Sequence, residues 1–219
     1  MNNKKKYLKE VFEKVRLYCF SPGSLCRDKD PVSIVEAEIK GGADVIQLRE
    51  KGKSKRYILE LGFKIRELTQ KHNILFIVND DIDIALILDA DGVHLGQDDI
   101  PIEYARLLMK DKLIGISTHS MKQVEDAIKE GADYIGFGPI FETNTKNKRE
   151  KIVGVKLLEK LKYICSIPYV AIGGIGINNI EHIVNAGCRR VAVISDIICA
   201  TDIEERCRQI KRVLLNSSC

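Results

Sequence analysis

Residues 41–51 read Gly-Gly-Ala-Asp-Val-Ile-Gln-Leu-Arg-Glu-Lys, and this stretch contains the pattern that decides the fold. Its glycines can end a helix in the left-handed conformation, and a short apolar run follows them. The run then changes abruptly to amide, basic and acidic side chains, with Gln47, Arg49 and Lys51 at alternate positions. The stretch therefore predicts a buried strand that follows a helix and releases polar side chains at its carboxyl end.

The same change from apolar to polar residues recurs along the chain. It occurs where 76–78 leads into 79–81, 92–95 into 96–99, 114–116 into 117–119, and 134–137 into 138–139. Parallel strands that are buried on both faces carry such apolar runs, and a parallel α/β barrel gathers their carboxyl ends around one mouth. We therefore expect residues that are distant in sequence to share a single site.

Strands and helices are expected to alternate over nearly the whole chain. The predicted strands are 17–20, 45–48, 75–78, 92–95, 113–117, 134–137, 169–172 and 191–194. Apolar spacing predicts helices over 32–40, 56–71, 82–88, 102–110, 121–130, 155–161, 178–185 and 202–215. The pattern predicts an α/β fold, a (β/α)8 TIM barrel forming a single domain over 1–219. A doubly wound open sheet is the alternative, because periodicity does not prove closure.

Composition limits the classes of function and location. The formal net charge is +4 over 219 residues, with both signs interspersed, so no nucleic-acid surface is predicted. No apolar run is long enough to span a membrane and no signal peptide is recognisable, so we expect a cytoplasmic protein. The 7 cysteines contain no C-x-x-C pair, which argues against a disulfide framework and a zinc site. Residues 1–14 are predicted to be an N-terminal extension, partly helical or disordered.

Two acidic residues indicate a metal site. Asp80 and Asp99 follow the third and fourth predicted strands, which are neighbours in a barrel. Two carboxylates without a nearby histidine or cysteine cluster suit Mg²⁺, which takes its remaining ligands from water and phosphate. Helix capping is the alternative role for such aspartates. Asp81 and Asp98 are available for capping, however, which leaves a second carboxylate at each position.

Three segments predict binding of anions. Gln47, Arg49 and Lys51 share one face of an extended strand, and an amide between two cations suits a heterocycle that carries a polyphosphate; a solvated loop is the alternative. The long loop 138–146 offers two hydroxyls and an ammonium group for phosphate oxygens. The glycines of 173–174 and the hydroxyl of Ser195 predict a phosphate cradle after the last two strands.

Two histidines are weaker candidates for acid–base chemistry. His94 lies inside a predicted strand, so we expect a packed and hydrogen-bonded core residue. His119 follows the end of a strand and is expected near the mouth. The sequence shows no Ser/His/Asp or Cys/His arrangement, so no activated protein nucleophile is predicted.

At this point a family resemblance becomes recognisable. The motifs Q-L-R-x-K, F-I-V-N-D-D, G-V-H-L-G-Q-D-D, G-I-S-T-H-S, G-A-D-Y-I-G-F-G-P-I-F-x-T-x-T-K, A-I-G-G-I and V-I-S follow one another in this order. Together they resemble thiamine phosphate synthase, from about residue 17 to residue 198. The resemblance implies a TIM barrel that transfers a pyrimidinylmethyl group from its diphosphate to the nitrogen of a thiazole phosphate and releases pyrophosphate.

The resemblance also implies roles for individual residues. Mg²⁺ would be bound by Asp80 and Asp99, and the catalytic residues would be Arg49, Ser117 and Lys146. The implied contacts to the pyrimidine diphosphate are Gln47, Leu48, Arg49, Glu50, Lys51, Asn79, Ser117 and Lys146. Those to the thiazole phosphate are Thr143, Asn144, Thr145, Gly174, Ile194 and Ser195. The chain departs from the family where Glu142 replaces a usual proline and Asp196 a small residue. An extra acid at either position would weaken phosphate binding slightly, and a side chain that points to solvent is the alternative.

The implied function is a step of thiamine biosynthesis. A Mg²⁺-dependent transferase would couple 4-amino-2-methyl-5-(diphosphooxymethyl)pyrimidine with a (carboxy)thiazole ethyl phosphate by a dissociative, carbocation-like mechanism. The amino group of the pyrimidine stabilises the cation, so the protein needs no nucleophile. The expected partners are small phosphorylated molecules, with no nucleic acid and no membrane, and a homodimer is left open.

Three alternatives remain at this point. A thiazole tautomerase-like relative shares the barrel but does not need the carboxylate pair. A non-catalytic barrel that binds thiamine phosphate would keep the anion sites without the metal ligands. A phosphate-sugar isomerase or aldolase barrel would need a Schiff-base lysine at a strand end or a glutamate base after the sixth strand, and the sequence shows neither.

Overall fold

The computed structural model describes residues 3–26, 29–143 and 151–216. In this part of the chain the strands are β1 Leu17–Phe20, β2 Val45–Leu48, β3 Leu75–Asn79, β4 Gly92–Leu95, β5 Leu113–Thr118, β6 Tyr134–Phe137, β7 Tyr169–Ile172 and β8 Val191–Ala192. They pair in chain order, all parallel, and β8 pairs with β1. The barrel is therefore closed. The predicted TIM barrel is confirmed and the open sheet is wrong.

Helices surround the barrel and connect its strands. Those of the described residues are α1 Asn3–Glu13, α2 Pro31–Lys40, α3 Lys55–Lys71, α4 Ile82–Ile87, α5 Ile102–Met109, α6 Met121–Glu130, α7 Val155–Ile164, α8 Ile180–Asn185, α9 Ser195–Ile198 and α10 Ile203–Asn216. None of them combines the length and the apolar character that a membrane crossing requires. Helix α1 occupies most of the extension 1–14, which was predicted to be partly helical or disordered. Helix α9 was not among the predicted helices, and it begins directly after the predicted end of the eighth strand at residue 194.

Alternate residues of each strand face two separate cores. In β2, Val45 packs inside the barrel, whereas Ile46 and Leu48 pack outward against the helices. Helix α1 covers the amino end of the barrel, where Phe12 stacks on Tyr134 with ring centroids 4.1 Å apart. Because this end is plugged by apolar side chains, a substrate must enter from the carboxyl ends of the strands.

Aspartates at the amino ends of three strands fix the neighbouring strand. Each accepts a hydrogen bond from a backbone N–H of the preceding strand. The pairs are Asp44 with Leu17 at 2.9 Å, Asp91 with Phe76 at 2.9 Å, and Asp133 with Ile114 at 2.9 Å. Each of these carboxylates also pairs with a lysine or an arginine. These acids therefore have a structural role at the end of the barrel opposite to the mouth.

Candidate active site

A cavity opens at the carboxyl ends of the strands and gathers residues from the whole barrel. Predicted site residues that line it are Gln47, Arg49, Asn79, Ser117, Thr143, Gly174, Ile194 and Ser195. Further lining residues include Tyr18, Phe20, His94, His119, Tyr134, Phe141 and Ile172. The cavity thus combines an amide, a guanidinium group and hydroxyls with apolar and aromatic walls, as expected for a small-molecule site.

The polar floor of the cavity is connected by hydrogen bonds. The Gln47 amide donates to the Tyr18 hydroxyl over 2.7 Å. His94 contacts Tyr134 through Nδ1 at 3.1 Å and Ser117 through Nε2 at 3.0 Å. The expectation of a packed core histidine is corrected in part, because His94 is hydrogen-bonded but lines the cavity. Gly136 on β6 leaves the space for its ring, since a Cβ at this position would lie 3.2 Å from it.

Arg49 is the principal cation of the cavity wall. It follows β2, and its backbone N–H donates to Ser21 Oγ over 2.8 Å. Burial lowers the pKa of Arg49, while Asp80 and Glu50 act in the opposite direction. A guanidinium group remains charged in proteins, so a desolvated one facing a cavity favours an anionic ligand.

Asp80 and Asp99 lie together at the rim of the cavity: neither is among the described residues that line it, but Asp80 is close enough to Arg49 to act on its pKa. Burial raises the pKa of Asp80, and a hydrogen bond with Asp99 raises it further, whereas Lys51 lowers it from 3.3 Å. Asp99 also accepts a hydrogen bond from the Gly96 backbone N–H over 2.6 Å. Two carboxylates held this close repel each other when both are ionised.

This donor set fits a hard divalent cation. A cation between the two carboxylates would remove their repulsion, and oxygen ligands are those that Mg²⁺ prefers. Within the described residues, no group of three or more His, Cys, Asp or Glu side chains could hold a metal. A site here would therefore have two protein ligands and leave other positions for water or phosphate.

The capping roles expected of Asp81 and Asp98 are not observed. Asp81 stands at the N-cap of α4 but makes no side-chain cap hydrogen bond, and its carboxylate lies 3.4 Å from Lys55 instead. The N-cap residue of α5 is Pro101, because residues 99–101 separate Asp98 from the helix. The two acids differ in the reason: Asp81 has the N-cap position but its carboxylate lies near Lys55, whereas the turn before α5 is longer than the spacing of acids suggested.

The loops after β6 and β7 pack closely around one side of the cavity. Gly174 has φ +64°, and a Cβ there would lie 2.4 Å from the carbonyl oxygen of Glu142. Only glycine, which has no Cβ, lets the two loops come this close without displacing one of them. Ile194 and Ser195, which follow β8, line the same cavity.

The two departures from the family pattern take different positions. The Asp196 carboxylate accepts from Arg206 over 2.7 Å and from the Ile177 backbone N–H over 3.2 Å. The charge of Asp196 is therefore paired with that of Arg206 on α10, which gives little structural support to the expectation that Asp196 weakens phosphate binding. Glu142 is exposed and lines the cavity, so that concern remains for this residue.

The remaining predicted residues differ in where they lie relative to the cavity. The Leu48 side chain is buried in the outer core, and Glu50 Oε1 accepts from the Gly23 backbone N–H over 3.1 Å. His119 lines the cavity, with Nδ1 located 2.5 Å from the Gly138 carbonyl oxygen. The predicted contacts Asn144, Thr145 and Lys146 lie outside the described residues.

Comparison with known proteins identifies relatives of the whole barrel. The family model described as thiamine monophosphate synthase matches residues 17–197. The thiamine-phosphate synthase of Halalkalibacterium halodurans is 44% identical over 91% of this chain and 95% of that protein. The chain belongs to this family. A thiamine-phosphate synthase of Dictyoglomus turgidum is 40% identical over 98% of the chain and 96% of that protein.

A solved structure extends the agreement within the thiamine monophosphate synthase family to the fold. The thiamine phosphate pyrophosphorylase from Pyrococcus furiosus superposes with a TM-score of 0.85 at 35% identity, covering 93% of this chain and 97% of that one. The resemblance stated from the motifs is therefore confirmed.

Tyr18 and Tyr134 were not among the predicted site residues. Both have the inward position of their strands and are fully buried, so their residue type and spacing alone indicate packing. A signal was present in Tyr134, since a tyrosine in a buried strand needs a partner for its hydroxyl.

Proposed function

We propose that this chain is a thiamine-phosphate synthase that joins a pyrimidinylmethyl diphosphate to a thiazole phosphate. Family membership supports the activity, and one observation carries the proposal for the site. Gln47, Arg49 and Ser117 line the same cavity, and Asp80 of the Asp80–Asp99 pair lies close enough to Arg49 to act on its pKa. An amide can bind a heterocycle, whereas a guanidinium group and a carboxylate-bound cation together suit its diphosphate.

The two substrates are assigned to different sides of the cavity. The pyrimidine diphosphate is placed against β2, β3 and β5, where Arg49, Asn79 and Ser117 lie. The thiazole phosphate is placed against the loops after β7 and β8, where Gly174 and Ser195 lie. Thr143 lines the same cavity and is assigned to the thiazole side. This arrangement lets the thiazole nitrogen face the methylene carbon.

The proposed reaction is dissociative. The bond between the methylene carbon and the diphosphate oxygen breaks, and its electron pair leaves with pyrophosphate. The thiazole nitrogen then donates its lone pair to the cationic carbon and forms the new C–N bond. Arg49 and Ser117 hold the leaving group, while the apolar side of the cavity, which includes Phe20 and Ile172, keeps water from the cation. Mg²⁺ held by Asp80 and Asp99 would neutralise charge on the departing diphosphate.

Two alternatives are less well supported. A tautomerase-like activity does not need the close pair of carboxylates at the rim. A purely binding barrel would gain nothing from that pair, because it raises the pKa of Asp80 and opposes ionisation in the absence of a cation. Both alternatives predict that no pyrophosphate is released.

The decisive experiment mixes the purified protein with both phosphorylated substrates and Mg²⁺. We expect equal amounts of pyrophosphate and thiamine phosphate, and no turnover after chelation of divalent cations until Mg²⁺ is restored. Ser117→Ala should retain the fold and lose most activity. Failure of the wild-type protein to form thiamine phosphate from either the carboxylated or the plain thiazole phosphate would exclude the proposed function.

The mechanism is tested separately with substituted pyrimidines. Replacing the methyl group of the pyrimidine diphosphate by trifluoromethyl should slow the reaction by orders of magnitude, because it destabilises the cation. A direct displacement would be much less sensitive, since less charge develops at carbon. Similar rates for the two substrates would contradict the dissociative step.

The quaternary structure is also a proposal. The outer face of α5 exposes Tyr104, Leu107 and Leu108, and Leu107 is 71% exposed. The neighbouring α4 exposes Ile87, and an apolar group of this kind is typical of an interface. We propose a homodimer through this face, to be tested by sedimentation of Leu107→Glu with Tyr163→Glu as the control. Cytoplasmic location stays a prediction, to be checked by cell fractionation.

A further inference from the structure

Five side chains form a continuous chain of hydrogen bonds across the floor of the cavity. We call it the floor chain; its members, in order, are Gln47, Tyr18, Tyr134, His94 and Ser117. The successive distances are 2.7, 3.2, 3.1 and 3.0 Å. All five line the cavity, and its two ends belong to the proposed pyrimidine diphosphate site.

The packing around the floor chain holds it in place. Tyr18 and Tyr134 are only 2% and 1% exposed. The Tyr134 ring fills the space beside Gly115, where a Cβ would lie 2.1 Å from the ring, and it stacks on Phe12 from α1. Burial raises the pKa of both tyrosines, so they remain protonated at neutral pH. Each hydroxyl therefore has one hydrogen to donate.

The atoms themselves fix the direction of the first hydrogen bond, and the proposal extends that direction along the floor chain. An amide nitrogen can only donate, so the Tyr18 oxygen accepts from Gln47. Tyr18 is 3.2 Å from Tyr134, and Tyr134 is 3.1 Å from His94 Nδ1. In the proposed direction, each of the two tyrosine hydroxyls accepts from the preceding residue and donates its single hydrogen to the next, so Tyr134 donates to Nδ1. An accepting Nδ1 carries no hydrogen, which places the hydrogen of a neutral imidazole on Nε2. That N–H donates to Ser117 Oγ.

We propose that Tyr18, Tyr134 and His94 are positioning residues that set the polarity of Ser117. Because Ser117 Oγ accepts from His94, its own hydrogen is directed toward the cavity, where it can donate to an oxygen of the diphosphate. With the opposite polarity, Ser117 would donate its hydrogen to His94 Nε2. Only the lone pairs of Ser117 Oγ would then face the cavity, and they would repel a bound anion. The identity of this anion rests on the proposed function, whereas the polarity of the floor chain does not.

The first test measures the tautomer of His94 directly. Protein with ¹⁵N-labelled histidine, without substrate and at about pH 8, is studied by long-range ¹H–¹⁵N NMR, where an unperturbed histidine is neutral. We expect a protonated Nε2 and an unprotonated Nδ1. The Nδ1–H tautomer or an imidazolium at this pH would overturn the proposal.

Tyr134→Phe removes the hydrogen that Nδ1 accepts. The ratio of the Nε2–H to the Nδ1–H tautomer should fall about fivefold, as expected for the loss of one neutral hydrogen bond. Tyr169→Phe makes the same chemical change in β7, and Tyr169 does not belong to the floor chain or line the cavity. It should leave the ratio unchanged. An unchanged ratio in Tyr134→Phe would show that Tyr134 does not set the tautomer.

The second test asks whether Tyr134 acts through Ser117. Tyr134→Phe should lower kcat about fivefold without changing KM for the thiazole phosphate, and Ser117→Ala should lower kcat about tenfold or more. The double variant should be no slower than Ser117→Ala alone. Multiplying effects would overturn the proposal. If Tyr134→Phe folds poorly, Tyr18→Phe interrupts the same chain one step earlier and replaces it in both tests.

The two proposals fail in different ways. If the wild-type protein forms no thiamine phosphate, the proposed function fails, yet the NMR experiment still decides the polarity of the floor chain. If thiamine phosphate is formed but His94 carries its hydrogen on Nδ1, the proposed function stands and the positioning role is excluded.

Discussion

Replacing Asp80 by asparagine should stabilise the fold while removing most of the activity. Asp80 lies within hydrogen-bonding reach of Asp99, and burial together with this neighbour raises its pKa. Its backbone has φ +60°, a conformation that asparagine tolerates as well as aspartate does. The substitution therefore removes a charge without introducing backbone strain.

The size of the effect follows from the surroundings of the pair. Two like charges at about 4 Å repel by roughly 4 kcal/mol at the effective dielectric constant of a protein surface. The pair is partly solvated, and Asp80→Asn also gives up the attraction to Lys51, which is 61% exposed and worth at most about 1 kcal/mol. We expect a net increase of about 1 kcal/mol in the free energy of unfolding, or roughly 2–4 °C in Tm.

The pH dependence has a definite sign. The pKa of Asp80 is higher in the folded protein than in the unfolded chain. As the pH increases, Asp80 therefore loses its proton first in the unfolded chain, and the free energy of unfolding of the wild-type protein falls above about pH 4. The advantage of Asp80→Asn should therefore be present at neutral pH and disappear below about pH 4. Asp98→Asn changes an exposed acid of the same rim and should have no such effect.

Urea unfolding in a chelating buffer, from about pH 4 to pH 8, measures this advantage. Added Mg²⁺ should stabilise the wild-type protein and have little effect on Asp80→Asn, since binding to the folded state raises its stability. A variant that is less stable than the wild type at neutral pH without divalent cations would refute the reasoning about the carboxylate pair.

Three further predictions concern other parts of the molecule. Arg49→Ala should weaken binding of the pyrimidine diphosphate at least about tenfold, while calorimetry should show unchanged binding of the thiazole phosphate; the reverse would mean that the two anion sites are interchanged. Phe12→Ala should lower the free energy of unfolding by about 3–4 kcal/mol, because Phe12 is 1% exposed and stacks on Tyr134. Tyr7→Ala on the same helix changes a side chain that is 62% exposed and should lower the free energy of unfolding only slightly. Equal effects of the two substitutions would show that α1 does not stabilise the barrel through Phe12. Burial raises the pKa of Glu38 well above its usual value, and neither of its carboxylate oxygens has a hydrogen-bond partner among the described residues. Glu38→Leu should therefore stabilise the fold increasingly as the pH rises, and a gain in unfolding free energy that does not depend on pH would contradict this.

The architecture was predictable because each barrel strand is a short apolar run that ends in polar residues. The bounds of β2, Val45–Leu48, were predicted without error. The eighth strand is shorter than expected, at Val191–Ala192. Its apolar run continues to Ile194, which stands at the N-cap of α9, so residue type alone could not separate a strand end from the start of a helix.

The chemistry of the mouth was predictable to a similar degree. The positions of Arg49 and Asp80 at the mouth were recognisable because polar residues directly after a buried strand have few structural reasons to be there; their roles stay predictions. Tyr134 was not, since its role depends on neighbours across the barrel. The space beside Gly115 and the stacking on Phe12 are contacts between distant segments, which the periodicity of a single strand does not contain.

Acidic residues are used differently at the two ends of this barrel, and the difference bears on function. At the amino ends, Asp91 and Asp133 accept backbone hydrogen bonds and pair with arginines, so their charges stabilise the folded state. At the carboxyl ends, Asp80 and Asp99 face each other, and the pKa of Asp80 is raised. The same barrel that supplies hydrogen bonds and cations to the carboxylates at its amino end could supply them to the carboxylates at its carboxyl end. The Mg²⁺ site proposed above would offset the repulsion between these two carboxylates, which is why the stability of Asp80→Asn and the Mg²⁺ requirement should change together.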